Sequence, residues 1–385
     1  MWRKTSWTGA GTAGLLAALA LLSGCFGGGR SPGATVASVT VTPQAGAVRI
    51  SGRLQFIATA RDASGRPVAA TFAWAVNPSS LGNISSDGLF VPGPTPGEGQ
   101  VVCQAGGVTA TATVEVVPPI AYVNKDNALC LIMPDGTGRR QVYAPPGTLL
   151  SEPDWSHDGT RLAFGASQDN GTTWHIWVVS ANGAGASLRQ LTSGSAKNAC
   201  PVWSPDGQKM LFMSNADGGD WDIFVMNADG SSPVNLTSGY NGYDGFPDWS
   251  PDGQRIVFMS DRADPKRDLF LMNADGSAPA VFEASAGYDE QPSWSPDGQR
   301  ILFCSTPGAF PYDLWVKSVD GLAKTNLTSG SPASERAPRW SPDGSQIVYA
   351  DHSSSPARLY RAASDGSAPQ LLADDLSGGD RPAWW

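Results

Sequence analysis

The sequence is poor in the residues that most catalytic and metal sites use. It contains only 3 histidines in 385 residues. No H-x-x-x-H or C-x-x-C spacing occurs, so no zinc site is predicted. Its one G-x-S-x-G runs from Gly29 to Gly33, in a Gly- and Pro-rich segment and not on the strand-turn-helix of a nucleophile elbow. We therefore expect neither a catalytic site nor a cofactor.

Charge is also scarce, and positive charge is scarcer than negative. Charged residues make up 16% of the chain, and its net charge is -9. A chain with this balance has no broad basic surface, so we expect no nucleic-acid partner. Helical periodicity is absent too, which excludes helical bundles and coiled coils. Abundant Gly (45), Pro (30) and Trp (14) stand between short Val/Ile/Phe runs, a pattern typical of an all-β protein with many turns.

The N-terminus has the features of an export signal. A short basic region precedes an apolar stretch from Ala10 to Leu22, which is shorter than the ~20 residues of a membrane-spanning helix. The stretch ends in Leu-Ser-Gly-Cys at Cys25, which resembles a bacterial lipoprotein signal. The resemblance implies that residues 1–24 are removed and that acyl chains on Cys25 hold the protein on a membrane. Residues 25–34 would form a flexible tether.

The residue after Cys25 is not Asp. By the sorting rule of this signal family, that favours an outer-membrane lipoprotein facing either the periplasm or the cell surface. An ordinary signal peptide with an incidental cysteine is the alternative.

Residues 35–118 predict a small β-sandwich. Short segments there alternate apolar and polar residues, and the last, Val108 to Val117, alternates mainly Val and Thr. The strings VTPQAGAVRISGRLQFIATARDASGRPV and ISSDGLFVPG resemble bacterial Ig-like domains of group 2. The resemblance implies a spacing or adhesive module. We expect Trp74 in its core, and Cys103 has no partner for a disulfide inside the segment.

A repeat of about 45 residues fills the rest of the chain. Its marker is a Trp two residues after a Pro, at Trp155, Trp203, Trp249, Trp294, Trp340 and Trp384. Most copies continue as W-S-P-D-G, then as an apolar strand, then as a second strand that ends in an Asx-Gly turn. We expect the Trp side chains to pack between neighbouring repeats and the Asp-Gly pairs to form tight turns.

The two ends of the repeat region complete one another. Residues 119–150 form a repeat without its opening Pro-x-Trp strand, and the chain ends at Trp385 in an opening strand without a remainder. Joining the two closes a ring and leaves no unpaired sheet edge at either end. The sequence thus predicts an all-β chain: an Ig-like β-sandwich, then a six-bladed β-propeller over 119–385 that the C-terminal strand closes.

These motifs resemble the TolB-like β-propeller family, whose repeat reads P-x-W-S-P-D-G-x-x-I-x-F. The resemblance covers residues 119–385 and implies six blades of four strands. The family's namesake has an N-terminal α/β domain and is soluble in the periplasm. The segment that resembles an Ig-like domain and the lipoprotein signal stand in that place here, so a direct part in the Tol-Pal system does not follow.

Three aspartates open the second strand after the W-S-P-D-G turn: Asp222, Asp268 and Asp313. Metal ligation is one interpretation. Since other repeats carry His175, Ala128 or Arg358 at the same position, a repeated structural hydrogen bond to a loop amide is favoured. Cys130 and Cys304 fall in apolar strands of different blades, which favours buried free thiols, although an exported protein could pair its cysteines.

Binding is expected where the repeats differ, at the mouth of the axial channel. The variable positions lie just before each inner-strand Pro, and six of them are candidate binding residues: Glu152, Phe246, Glu290, Arg336, Asp380 and Arg381. A solvated rim without a ligand is the alternative. If a channel calcium exists, Glu152, Glu290 and Asp380 would be its first candidate ligands.

We therefore predict a lipid-anchored cell-envelope protein, not an enzyme. Its propeller would recognise a protein or an envelope polymer, and its membrane contact would be the lipid on Cys25. Two alternatives stay open: a calcium-dependent propeller hydrolase or lyase, and a purely structural envelope protein.

Overall fold

A computed structural model of the chain describes most residues after residue 34. The described ranges are 35–49, 53–93, 97–181, 187–263, 266–306, 311–321, 323–377 and 381–384. The predicted signal, Cys25, the tether and Asp380 lie outside them. The chain divides into two compact units, Met1–Val117 and Pro118–Trp385, and each is described by itself.

The N-terminal unit is built from three small sheets. The first contains β1 (Ser38–Thr42), β4 (Ile57–Arg61) and β5 (Pro67–Val68). The second contains β2 (Ala45–Arg49), β10 (Val108–Val117), β9 (Gly97–Ala105) and β6 (Ala73–Asn77). The third contains β3 (Leu54–Gln55), β8 (Leu89–Pro92) and β7 (Gly82–Ile84). A 3-10 turn, Ser79–Leu81, precedes β7. The pair β2–β10 is parallel, and the other pairs are antiparallel.

One apolar core joins these sheets. In β10 every second residue after Thr111 is buried, namely Ala112, Val114 and Val116. Phe90 of β8 is fully buried in the same core, so side chains from stacked sheets meet there. Each fully buried side chain of this size contributes about 1.5–3 kcal/mol. Trp74 packs against this core but is only partly buried.

The C-terminal unit is a ring of six four-stranded antiparallel sheets, here called blades 1 to 6 and listed from the inner strand outwards. Blade 1 consists of β34 (Ala383–Trp384), β11 (Ile120–Val123), β12 (Leu129–Ile132) and β13 (Arg140–Tyr143). Blade 2 consists of β14 (Leu149–Trp155), β15 (Arg161–Ser167), β16 (His175–Ser180) and β17 (Arg189–Gln190). Blade 3 consists of β18 (Asn198–Trp203), β19 (Lys209–Ser214), β20 (Asp222–Asn227) and β21 (Val234–Asn235).

The remaining blades repeat the same order. Blade 4 consists of β22 (Asp244–Trp249), β23 (Arg255–Ser260), β24 (Asp268–Asn273) and β25 (Ala280–Glu283). Blade 5 consists of β26 (Asp289–Trp294), β27 (Arg300–Ser305), β28 (Asp313–Ser318) and β29 (Lys324–Asn326). Blade 6 consists of β30 (Glu335–Trp340), β31 (Gln346–Asp351), β32 (Ala357–Ala363) and β33 (Gln370–Leu376).

The C-terminal strand closes the ring, as the phase of the repeat predicts. β34 pairs antiparallel with β11, with Trp384 opposite Ile120 and Ala383 opposite Ala121. β34 also contacts the inner strands of both neighbouring blades, β14 and β30. The inner strands of blades 2 to 6 contact one another in sequence, so six strands surround one axial channel. The predicted all-β fold class is therefore confirmed, including six blades and their closure.

The W-S-P-D-G motifs form the tight turns that were predicted. In blade 3 the Ser204 hydroxyl donates to Asp206 Oδ1 (2.6 Å) and accepts the backbone N–H of Lys209 (2.8 Å). Gly207 has φ +67°, in the left-handed region that glycine tolerates best. The Trp side chains pack between blades: Trp203 is 5% exposed, and the guanidinium of Arg161, from the preceding blade, lies 4.8 Å from its ring centre.

Two of the strand-opening aspartates, Asp222 and Asp313, make structural hydrogen bonds, and side-chain amides are among the donors. Asp222 accepts from the Thr237 hydroxyl (2.9 Å) and from the side-chain amide of Asn235 (2.9 Å), not from a loop backbone amide. The Thr237 hydroxyl in turn accepts the backbone N–H of Ile223 (3.0 Å). The side chains of the Asn-Leu-Thr triplets thus supply these hydrogen bonds in blades 3 and 5.

All four described cysteines, Cys103, Cys130, Cys200 and Cys304, are buried free thiols. Burial raises the pKa of each of them, which keeps the thiols protonated and unreactive.

Candidate functional site

The inner strands share an irregularity that shapes the channel. In blades 2 to 6 the pairing of the inner strand with its neighbour shifts at the residue before Pro, as in a β-bulge. That residue has a positive φ in each case: Glu152 (47°), Cys200 (49°), Phe246 (50°), Gln291 (54°) and Ala337 (52°). A non-glycine residue adopts this conformation at a cost of about 1–2 kcal/mol, so the bulge is held by the surrounding fold. Such bulges re-aim side chains, and here they set which positions face inwards.

The mouth face is the end of the propeller where the inner strands begin. The loops between the second and third strands of each blade and the connections between blades lie at this end. Glu290, Arg336 and Phe246, all predicted as mouth residues, lie at or next to the bulges of blades 5, 6 and 4.

An Arg–Glu–Arg triad lies at the mouth, on the side of blades 4 to 6. The Glu290 carboxylate, 6% exposed, accepts a hydrogen bond from Arg267 NH1 (2.8 Å). Arg336 NH1 lies 3.9 Å from the other carboxylate oxygen. Burial alone would lower the pKa of Arg267, but the hydrogen bond and charge of Glu290 raise it above its ordinary value. The triad carries a net positive charge, with both guanidiniums partly exposed (38% and 28%).

Tyrosine rings hold the two guanidiniums in position. The Arg336 guanidinium lies 3.8 Å from the centre of the Tyr312 ring, and that of Arg267 lies 4.6 Å from the centre of the Tyr243 ring. Burial raises the pKa of both tyrosines, so they remain neutral hydrogen-bonding groups. A guanidinium stacked on an aromatic ring loses less side-chain entropy when it binds an anionic group.

The structure places Arg381 deeper than the mouth. It is 2% exposed, its NH2 donates to the carbonyl oxygen of Pro292 (3.0 Å), and its guanidinium faces the Phe246 ring at 5.3 Å. Glu152 is also engaged inside the ring, because its Oε2 accepts the backbone N–H of Cys200 (3.2 Å). Of the predicted set, Glu290 and Arg336 meet in the triad, Phe246 and Arg381 meet in the channel, and Asp380 lies outside the described residues.

Sequence reasoning missed a second layer of charge, at the position between Pro and Trp. Around the ring this position alternates between charged and uncharged residues: Asp154, Val202, Asp248, Ser293, Arg339 and Ala383. Asp154 and Asp248 each accept the backbone N–H of the next blade's Trp through Oδ2, both at 2.8 Å. Burial raises the pKa of Asp154 to about 7 and raises that of Asp248 as well. The alternation along the repeat was the signal that could have found this layer.

A family model decides the classification. Residues 120–385 match the model described as the TolB beta propeller domain. The chain belongs to this family. The matched range covers the six blades and the closing strand, which are the parts on which the mouth and the channel are built.

Solved TolB structures have the same fold at low sequence identity. The structure of TolB from Acinetobacter baumannii superposes with a TM-score of 0.61 at 19% identity, over 84% of this chain and 84% of that one. The structure of a putative TolB from Agrobacterium tumefaciens superposes with a TM-score of 0.57 at 21% identity, over 70% of this chain and 98% of that one.

One curated relative is described as an enzyme, the uncharacterized peptidase YuxL of Bacillus subtilis. It is 30% identical over 92 residues, which are 23% of this chain. The matched stretch spans 14% of that relative's own length.

Among the described residues, no group of three or more His, Cys, Asp or Glu side chains is arranged to hold a metal ion. Across the described ranges, no helix has the length and apolar character needed to span a bilayer.

Proposed function

We propose that this protein is a non-catalytic binding protein of the bacterial cell envelope. The TolB propeller family supports a binding or scaffold role in general terms. The finer proposal is that the propeller recognises a protein partner through an acidic segment that docks on the mouth face. A lipid on Cys25 would hold the protein on the outer membrane, and the N-terminal sandwich would act as the spacer.

The observation that carries this proposal is the Arg–Glu–Arg triad. Its three charged groups, with a net positive charge, lie on the side of the mouth that blades 4 to 6 form, and two of them are stacked on tyrosines. The Arg267 guanidinium donates one N–H to Glu290, whereas a guanidinium carries five N–H donors. An incoming carboxylate could therefore bind Arg267 without displacing Glu290.

The charge around the mouth is uneven, which would orient a partner. Lys266 adds positive charge beside the triad, on the blade 4 loop. The exposed Asp169 and Asp217 lie on the corresponding loops of blades 2 and 3. An acidic segment would be steered towards blades 4 to 6 and away from blades 2 and 3, and this steering weakens as salt rises.

The calcium-dependent hydrolase or lyase has less support. Its two described candidate calcium ligands already have other partners. Two guanidiniums compensate the charge of Glu290, and Glu152 accepts a hydrogen bond from a backbone amide. The relative described as a peptidase matches over a small part of its length. We therefore keep the binding role as the proposal.

The test is a binding titration with a defined acidic probe. We expect a fluorescein-labelled hexaglutamate peptide to bind the full-length chain, and binding to weaken as salt increases. The double variant Arg267→Gln/Arg336→Gln should weaken binding at least tenfold, because charge-assisted hydrogen bonds contribute about 1.5–3 kcal/mol each.

Lys209→Gln is the matched control, since this exposed lysine lies at the opposite end of its blade, after the W-S-P-D-G turn. Equal binding by the double variant and the wild type would contradict the proposal. Binding of an anionic polysaccharide but not of the peptide would identify an envelope polymer as the partner.

A further inference from the structure

Two arginines from the blades at the closure meet inside the channel. Arg339 of blade 6 donates from NH1 to the carbonyl oxygen of Pro292 (3.2 Å), and Arg381, next to the closing strand, donates from NH2 to the same oxygen (3.0 Å). One neutral acceptor therefore holds two like-charged groups side by side. We call Arg339 and Arg381 the axial arginine pair.

Neither member of this pair forms an ion pair with another described residue. The salt bridges in the described part of the propeller involve other residues, including both arginines of the triad. The buried Nε–H of Arg381 has no hydrogen-bond acceptor among the described residues, although Arg381 as a whole is 2% exposed. A buried charged donor without an acceptor is costly in a protein interior.

The nearby carboxylates do not supply the missing acceptor. Asp154 and Asp248 use Oδ2 to accept backbone N–H groups of the next blades, and neither carboxylate forms a hydrogen bond or an ion pair with Arg339 or Arg381 among the described residues. Burial raises the pKa of Asp154 to about 7, so near neutral pH this carboxyl supplies only part of a negative charge. Burial and the adjacent charge of Arg339 lower the pKa of Arg381 to about 10, although the charges of Asp248 and Glu152 act in the opposite direction, and the guanidinium stays charged at neutral pH.

We propose that the axial arginine pair is a binding site for a small anion, of the size and charge of chloride or a free carboxylate. The anion would accept the Nε–H of Arg381 and contact the Arg339 guanidinium, and it would add direct compensation to the longer-range attraction that Asp248 and Glu152 provide. Since Arg381 adjoins β34 and Arg339 lies on β30, the bound anion would link blades 6 and 1 at the closure. This site is independent of the proposed function, because the triad at the mouth does not take part in it.

The first experiment locates the anion directly. Crystals of the full-length chain would be soaked in bromide, and anomalous diffraction would be recorded at the bromine edge. We expect a bromide peak within contact distance of Arg381 Nε and the Arg339 guanidinium. A map with bromide elsewhere on the protein but none at this pair would overturn the proposal.

The second experiment measures the consequence for stability. Thermal unfolding of the full-length chain is compared in sodium chloride, sodium acetate and sodium gluconate at equal ionic strength, with gluconate as the bulky reference anion. Ligand binding to the folded state raises the unfolding temperature, so we expect a rise of several °C in chloride or acetate over gluconate. A rise in chloride alone would identify a halide site, and a rise in acetate would identify a carboxylate site.

Variants separate this site from general salt effects. Arg339→Gln should lose the difference between the anions, whereas Arg336→Gln, at the mouth, should keep it. If Arg339→Gln does not fold, the bromide map of the wild type still decides. The same unfolding temperature in all three anions would contradict the proposal, as would an anion effect that persists in Arg339→Gln.

Discussion

Trp384, the last described residue, lies directly opposite Ile120, the first residue of the first propeller strand. Their pairing joins the two ends of a ring of more than 260 residues, and Ile120 is fully buried beneath it. Closure of this kind leaves no free inner edge, which is how propellers avoid edge-to-edge aggregation. It also fixes the position of Arg381, and through it the interior of the channel.

An ion-pair clamp between blades 4 and 5 gives a prediction about stability. Glu283 accepts from Lys317 (2.7 Å) and Lys324 (2.5 Å) of the next blade and is 8% exposed. Burial alone would raise the pKa of Glu283, but the two lysines lower it below its ordinary value. Glu283→Gln should reduce the free energy of unfolding by about 2 kcal/mol at pH 7, because it removes the carboxylate that pairs with the partly buried ammonium of Lys317 and the more exposed ammonium of Lys324. Urea denaturation measures this change.

The matched control is the surface pair Lys125–Asp126, whose side chains are 52% and 67% exposed. Asp126→Asn should change the free energy of unfolding by less than about 0.5 kcal/mol. Equal effects of the two substitutions would show that the clamp between the blades does not stabilise the ring.

The buried carboxyl of Asp154 predicts a specific pH dependence. Its pKa in the folded state is about 7, above the ordinary 3.8, so the folded state binds more protons than the unfolded state between these values. Its contribution to stability is therefore present at low pH and is lost as pH rises from about 4 to about 7, by at most about 1.4 kcal/mol per pH unit. Asp154→Asn keeps an oxygen for the Trp203 amide and should abolish this contribution.

The measurement is the difference in unfolding temperature between wild type and Asp154→Asn, recorded from pH 5 to 8. Subtracting the variant from the wild type cancels the pH-dependent contributions of other groups. One of them is His352, whose pKa is lowered chiefly by burial and whose contribution has the opposite sign. We expect the wild type to lose stability relative to the variant as pH rises. A difference that does not change with pH would mean that the Asp154 pKa is not raised.

Two variants of Tyr312 test whether its aromatic ring, apart from its hydroxyl group, contributes to binding at the mouth. Tyr312→Phe keeps the aromatic face 3.8 Å from the guanidinium, whereas Tyr312→Leu removes it. Loss of the stacked ring should weaken hexaglutamate binding several-fold, equivalent to about 1 kcal/mol, and the phenylalanine variant should bind more tightly than the leucine variant. Fluorescence anisotropy measures both, with unfolding temperature as the check on folding. Equally strong binding by both variants would show that the Tyr312 ring does not contribute to hexaglutamate binding.

Much of the fold was predictable because the sequence repeat marks the inner strands, the turns and the closure. The Pro-x-Trp spacing marks each inner strand, and the incomplete repeats at the two ends of the region predicted which strands pair at the closure. The turn at Ser204 and Asp206 followed from its local hydrogen-bonding chemistry. These features depend on residues close together in sequence or on a regular period, and a single sequence shows both.

The site was predicted less completely, for two physical reasons. The depth of a side chain near each Pro differs from blade to blade: Arg336 stays partly exposed at the mouth, whereas Arg381, beside the closing strand, is buried. A single sequence does not show this depth. The second arginine of the triad, Arg267, comes from a loop of a different blade than Glu290 and Arg336, so only the tertiary structure brings the three together.

Amide hydrogen exchange at the closure tests the central claim most directly. We predict that peptides covering 119–124 and 381–385 of the full-length chain exchange about as slowly as the inner strands of blades 3 and 4. Deletion of residues 381–385 should make 119–124 exchange rapidly while blades 3 and 4 remain protected. Exchange of the C-terminal peptide within seconds in the intact chain would contradict a ring that its last strand closes.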